Sequence, residues 1–134
     1  EAERRAAFLE EYARAVSQHS IFIHEGRHIL DQASGEDLKS EDLEYRAKLS
    51  ELALADYPRL ALSAINADTI GADTPHGNAN RRIMEAFGRW VAAHAREVRG
   101  LDPSRPALTQ LDRLSDDQIR AVARSLDPWV QAAR

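Results

Sequence analysis

Cysteine is absent from this 134-residue chain, and so is any apolar run long enough to cross a bilayer. The first absence excludes disulfide scaffolds, cysteine nucleophiles and thiolate metal sites. Because of the second, we expect no membrane-spanning segment. A net charge of −4 provides no broad basic surface, so we also expect no nucleic-acid partner.

The composition is that of a folded domain. Hydrophobic residues make up 43% and charged residues 30% of the chain, which excludes a disordered polymer. A chain of this length can bury a substantial core, and we expect a single domain over residues 1–134. The first residue is not Met, so we expect this domain to be a fragment of a longer protein.

The spacing of apolar residues is helical throughout, and no stretch alternates as a half-buried strand does. The sequence therefore predicts an all-α, multi-helix domain. A capping box of Ser115 and Gln118, with Leu114 and Ile119 as its hydrophobic staple, predicts the last helix. Five further helices are predicted. The first two cover residues 2–16 and 18–33, the third runs from Ser40 to Pro58, the fourth from Pro58 to about residue 68, and the fifth from Asn78 to Gly100. Residues 69–77 are expected to be irregular.

The chemistry is concentrated in His24-Glu25-Gly26-Arg27-His28, on the second predicted helix. Two histidines four residues apart project from one helix face, one turn apart. Zinc accepts two such nitrogens and one further protein ligand, which leaves a position for water. Glu25 follows the first histidine and can take a proton from that water without being a ligand. The motif therefore predicts a catalytic Zn²⁺ site with Glu25 as the general base.

A third ligand is expected from the next helix, which offers Glu41, Glu44 and Glu51. Glu44 is favoured because Ala47, one turn later, lets two helices approach closely. Glu51 lies two turns further along the same face and could instead support a ligand from outside the coordination sphere. A solvent-exposed helix glutamate is the alternative for each of them.

His24-Glu25-x-x-His28 followed by Glu44-x-x-Ala47 resembles the zincin metallopeptidases, specifically the gluzincin branch typified by thermolysin-like enzymes. The resemblance covers about residues 18–55. It implies that His24, His28 and Glu44 bind zinc, that Glu25 is the general base, and that the substrate is a peptide or protein. Such peptidases usually have a sheet upstream of the motif helix, whereas the residues before His24 are predicted to be helical.

Several residues around the motif are assigned more weakly. His76, in a turn-rich loop, is the best candidate for a donor that stabilises the oxyanion. Asp31 shares the face of the ligand histidines and is either an orienting group or an ordinary aspartate of the last helical turn. His19 is expected at the surface. Trp90 and Trp129 are expected in the core.

Two functional hypotheses follow from these residues. The first is a zinc-dependent peptidase. The second is a non-catalytic helical interaction domain, with other domains of the same polypeptide as candidate partners, in which the metal site is structural or degenerate. A structural zinc site has four protein ligands, whereas a catalytic one retains a water.

Overall fold

The computed structural model describes residues 1–67 and 73–127, and these residues form helices but no strand. The all-α prediction is confirmed. The helices are α1 (Ala2–Val16), α2 (Gly26–Ser34), α3 (Ser40–Leu54), α4 (Pro58–Ala67), α5 (Pro75–Ala93) and α6 (Asp116–Leu126), with a π-helical stretch at Ser17–Glu25 and a 3₁₀ stretch at Ala107–Arg113.

The first two helices form one continuous helical run with the π-helical stretch between them. Ser17, where a break was expected, has helical backbone angles of φ −60° and ψ −42°, so no turn separates the segments. His24 and Glu25 lie at the end of the π-helical stretch, and His28 lies in the first turns of α2. The placement of the motif on a separate second helix is therefore not confirmed. The motif spans the junction between the two kinds of helix.

Helix α3 is the central element of the domain. It packs against α5, α6 and α4, and also against α2 and the π-helical stretch. Because α3 contacts both the motif and the rest of the core, it fixes the position of the motif relative to the fold. The fully buried large apolar side chains of the core come from α3, α5, α6 and the segment before α6, and include Leu49, Leu52, Ile83, Phe87, Val91, Leu114, Ile119 and Val122.

The start of α5 differs from the expectation. Thr74 Oγ1 accepts a hydrogen bond from the backbone N–H of Gly77 at 3.1 Å, and Pro75 occupies the first helical position. Proline suits that position because its fixed φ is helical and its missing N–H would have had no partner there. The helix therefore begins three residues before Asn78, and His76 lies in its first turn rather than in a loop.

Other helix ends agree with the sequence. Ser115 and Gln118 form the predicted reciprocal capping box, and Leu114 and Ile119 are both fully buried beside it. Gly35 ends α2 with a left-handed φ of +71°. At the far end of α5 the prediction was too long, since the helix ends at Ala93 and not at Gly100.

Helix α1 is the least buried element, and Ala15 is its only buried residue. Trp90 is partly buried against the core, as expected, and Trp129 lies outside the described residues. Within the part of the chain that the structure describes, no helix has the length and apolar character needed to cross a membrane.

Candidate metal centre

Two histidines from the first helical run and one glutamate from α3 converge at one point. The Nε2 atoms of His24 and His28 are 3.0 Å apart. Oε2 of Glu44 lies 3.4 Å from His24 Nε2, and Oε1 of Glu44 lies 3.4 Å from His28 Nε2. Ala47, one turn after Glu44, is completely buried, which fits a close approach of α3 to the motif.

These distances suit a metal ion. One ligand atom from each of His24, His28 and Glu44 lies within 4.8 Å of the others. A tetrahedral zinc ion with bonds of about 2.0–2.1 Å holds its ligand atoms about 3.3 Å apart, close to the separations observed here. Oε2 of Glu44 is also buried without accepting a hydrogen bond, an arrangement that is costly unless a cation faces it. The three residues could hold a metal ion.

His24 is fixed on its other side by Glu51, two turns after Glu44 on α3. Nδ1 of His24 makes a short hydrogen bond to Oε1 of Glu51, so Nε2 is the nitrogen directed at the metal group. Burial disfavours the imidazolium form, but the Glu51 hydrogen bond and the nearby Glu44 carboxylate outweigh burial and raise the pKa of His24. In the metal-free protein a proton therefore competes with a metal for His24.

Of the three roles considered for Glu51, its burial excludes the surface glutamate, it lies outside the group that could hold a metal ion, and its hydrogen bond to His24 fits the supporting role. Burial raises the pKa of a carboxyl group, but hydrogen bonds from His19 and His24 outweigh that effect and lower the pKa of Glu51. The remaining candidate, Glu41, accepts a hydrogen bond from Asn78 Nδ2 at 3.4 Å and does not belong to the metal group.

Glu25 and His76, the two predicted catalytic residues, do not belong to the group. Glu25 is exposed and has no hydrogen bond or ion pair among the described residues, so its carboxylate is available to solvent. Nδ1 of His76 lies 2.7 Å from Oε2 of Glu44, off the direction of a hydrogen bond, and the His76 side chain is 64% exposed. The ring centroids of His76 and His24 are 6.4 Å apart. The structure thus brings four of the five predicted site residues together: His24, His28 and Glu44 could hold a metal ion, and His76 lies beside them, whereas Glu25 is adjacent to His24 only in sequence.

Two assignments near the motif need correction. Asp31 is buried, but it pairs with Arg27 and Arg46 and not with a ligand histidine, so neither role considered for it holds. His19 is only 6% exposed, against the expected surface position, and its Nδ1 lies 3.1 Å from Oε2 of Glu51. His19 is the residue of this site that the sequence analysis missed.

Arg27, inside the motif, is also a buried charged residue. Its Nε lies 3.0 Å from Asp31, and its Nη1 lies 2.8 Å from Asp127 and 3.1 Å from Ser50 Oγ. These contacts attach the motif helix to α3 and to the residue that follows α6. Arg27 is therefore buried with ion-pair partners of its own, separate from the three residues that could hold a metal ion.

No family model, curated protein or solved structure matches the chain. By its fold and its candidate site, the chain is an all-α domain in which two histidines and one glutamate could hold a metal ion.

Proposed function

We propose that the chain is a zinc-binding hydrolase and, more specifically, a peptidase in which Glu25 is the general base. The observation that carries the proposal is the convergence of His24 Nε2, His28 Nε2 and the Glu44 carboxylate. Two imidazoles and one carboxylate suit zinc better than magnesium or calcium, which prefer oxygen ligands alone. Three protein ligands leave one tetrahedral position for water.

Zinc, when bound, supplies a Lewis acid that polarises a carbonyl and lowers the pKa of a water. Glu25 lies beside His24, is exposed, and is not one of the three converging residues. Its carboxylate is available to accept the proton of the attacking water and to pass it to the leaving amine. Peptides are the proposed substrates because the motif resembles that of the zincin peptidases.

His76 is proposed as the donor to the oxyanion that forms on the attacked carbonyl. It lies at the exposed edge of the group, in the first turn of α5, and its Nδ1 contacts Glu44. A side chain in that position reaches both the open side of the group and solvent. Removing one such donor typically lowers kcat by about 10²–10³-fold.

Metal content tests whether the protein binds zinc through His24, His28 and Glu44. Purified protein is expected to hold one zinc per chain by elemental analysis, and His24→Ala, His28→Ala and Glu44→Gln are each expected to lose it. Glu41→Gln is the matched control, since Glu41 lies one turn before Glu44 on the same helix but outside the group. Stoichiometric zinc in the His24→Ala/His28→Ala double variant would show that the metal is held elsewhere.

Hydrolysis of a broad peptide library tests whether the protein is a peptidase with Glu25 as the general base. Glu25→Gln keeps the size of the side chain but removes its basicity, so zinc content is expected to stay at the wild-type level. Cleavage is expected to fall about 10²–10⁴-fold, the usual contribution of general-base catalysis. His76→Ala is expected to retain zinc and to lose mainly kcat. Equal cleavage by Glu25→Gln and wild type would rule out this mechanism with zinc still in place.

A second candidate function, an interaction domain with a structural metal, is supported by exposed apolar side chains on the helix that carries the motif. Ile21, Phe22, Ile29 and Leu30 are 58%, 73%, 66% and 47% exposed. Apolar exposure of this kind is typical of contact surfaces. The number of protein ligands in a zinc-loaded crystal structure separates the candidates: His76 as a fourth ligand would favour the structural site, and a water in that position would favour the hydrolase.

A further inference from the structure

Glu51 joins the buried His19 and the partly buried His24 through its two carboxylate oxygens. Oε1 bonds to Nδ1 of His24, and Oε2 lies 3.1 Å from Nδ1 of His19. His19 and Glu51 are each less than a tenth exposed, so solvent does not compete for these contacts. His19, Glu51 and His24 thus contact one another in series. At the end of the series, Nε2 of His24 is directed toward Glu44 and His28.

The π-helical stretch makes this series geometrically possible. His19 and His24 are five residues apart, and in an α-helix that spacing would place them about 140° apart around the axis. A π-helix bonds residue i to residue i+5, which brings residues five apart to nearly the same side. Both histidines lie within Ser17–Glu25 and both reach the same carboxylate. The unusual helix therefore coincides with the residues that share Glu51.

We propose that His19 is a positioning residue of the metal centre. It holds Oε2 of Glu51, so that Oε1 fixes His24 with the proton on Nδ1 and the lone pair of Nε2 toward the metal. A glutamate side chain has three rotatable bonds, and a hydrogen bond to one oxygen alone leaves the carboxylate free to tilt through combined rotations about them. Contact at both oxygens removes that freedom. This inference rests on the proposed zinc site.

Zinc affinity, measured by chelator competition, tests the role of His19. The amide Nδ2 of asparagine occupies nearly the place of histidine Nδ1, whereas the amide of glutamine lies one bond further out. His19→Asn is therefore expected to keep most of the wild-type affinity. His19→Gln and His19→Leu are expected to weaken zinc binding about 10–100-fold, the usual loss when an orienting partner of a metal ligand is removed.

His94→Leu is the matched control, because His94 is partly buried against Trp90 on α5 and has no contact with the metal group. It is expected to leave zinc affinity unchanged. Circular dichroism and denaturation show which variants fold. If His19→Leu does not fold, the comparison of His19→Asn with His19→Gln decides the matter. Wild-type zinc affinity in His19→Gln would overturn the proposal and leave the zinc site itself intact.

A measurement on metal-free protein separates this proposal from the zinc site. ¹⁵N–¹H correlation spectra report which nitrogen of neutral His24 carries the proton. We expect Nδ1–H in wild type and His19→Asn, and a mixture of tautomers in His19→Gln. A protein that binds no zinc but shows this tautomer change would overturn the metal function while supporting the positioning of His24 by His19. Identical tautomers in all three proteins would overturn the positioning role.

Discussion

Two clusters of polar side chains lie beside the same helical run and contact α3, and they differ in the cation that each contains. Around Arg27, a guanidinium lies between the carboxylates of Asp31 and Asp127, so the cluster contains its own cation. Around His24, the carboxylates of Glu44 and Glu51 contact only imidazoles, and no lysine or arginine of the described residues forms an ion pair with either. The Arg27 cluster therefore contains a permanent cation, whereas the His24 cluster requires a proton or a metal ion to supply one.

The largest effect on the free energy of unfolding is expected from disrupting the Arg27 cluster. Arg27→Ala removes the guanidinium that lies between two buried carboxylates and leaves Asp31 with Arg46, and losing one partner of a buried ion pair typically costs about 3–5 kcal/mol. Denaturant unfolding of the metal-free protein measures the loss. Arg89→Ala is the control, since Arg89 is 72% exposed beside Glu85 and its change should stay within about 0.5 kcal/mol. A variant of Arg27 as stable as wild type would show that the two clusters do not differ in this way.

The second-largest effect on stability is expected when zinc supplies the cation that the His24 cluster lacks. Zinc at a free concentration of about 100 times its Kd should stabilise the folded protein by about 2.7 kcal/mol, because it binds the folded state alone. The same addition should leave the unfolding of His24→Ala/His28→Ala unchanged. Thermal or denaturant unfolding with and without a chelator provides the measurement. Equal stabilisation of both proteins would mean that zinc binds outside this group.

The smallest effect concerns Gly26, which lies between the two clusters in sequence. A Cβ built on Gly26 meets no atom within 4 Å, so Gly26→Ala should stabilise the helix by about 0.5–1 kcal/mol without altering zinc affinity. Gly35→Ala, at a φ of +71°, is expected to destabilise the protein by about 1–2 kcal/mol. Denaturant midpoints of the two variants should move in opposite directions. A loss of zinc in Gly26→Ala would show that backbone freedom at this position serves the site.

Local features of this fold could be predicted from sequence because their causes are local. The capping box of Ser115 and Gln118 acts over three residues, and the left-handed glycine that ends α2 acts at one position. The spacing of His24 and His28 is likewise a property of a single helical turn. The start of α5 was misplaced although its causes are also local, since Thr74 as the cap and Pro75 at the first position both mark a helix start.

The residues that support the site could not be predicted in the same way. Asp127 reaches Arg27 from a hundred residues away, so nothing near the motif indicates why a charge is tolerated there. α-Helical periodicity places His19 far from the face of His24, so it gives no reason to expect His19 at the site. Its burial depends on the π-helical stretch, and no simple residue pattern marks such a stretch.

The π-helical stretch also has a consequence for comparing this chain with others. Such a stretch holds residues that an α-helix of equal length would not accommodate, so it behaves as an insertion inside an unbroken helix. Deleting one residue between Val16 and His24 would turn every upstream side chain by about 100° relative to the ligands. In this chain the hydroxyl of Tyr57 donates a hydrogen bond to Glu11 of α1. A related chain with the same motif but a helix one residue shorter would present a different upstream face to Tyr57, and its alignment gap would mark the loss of the contact between His19 and Glu51.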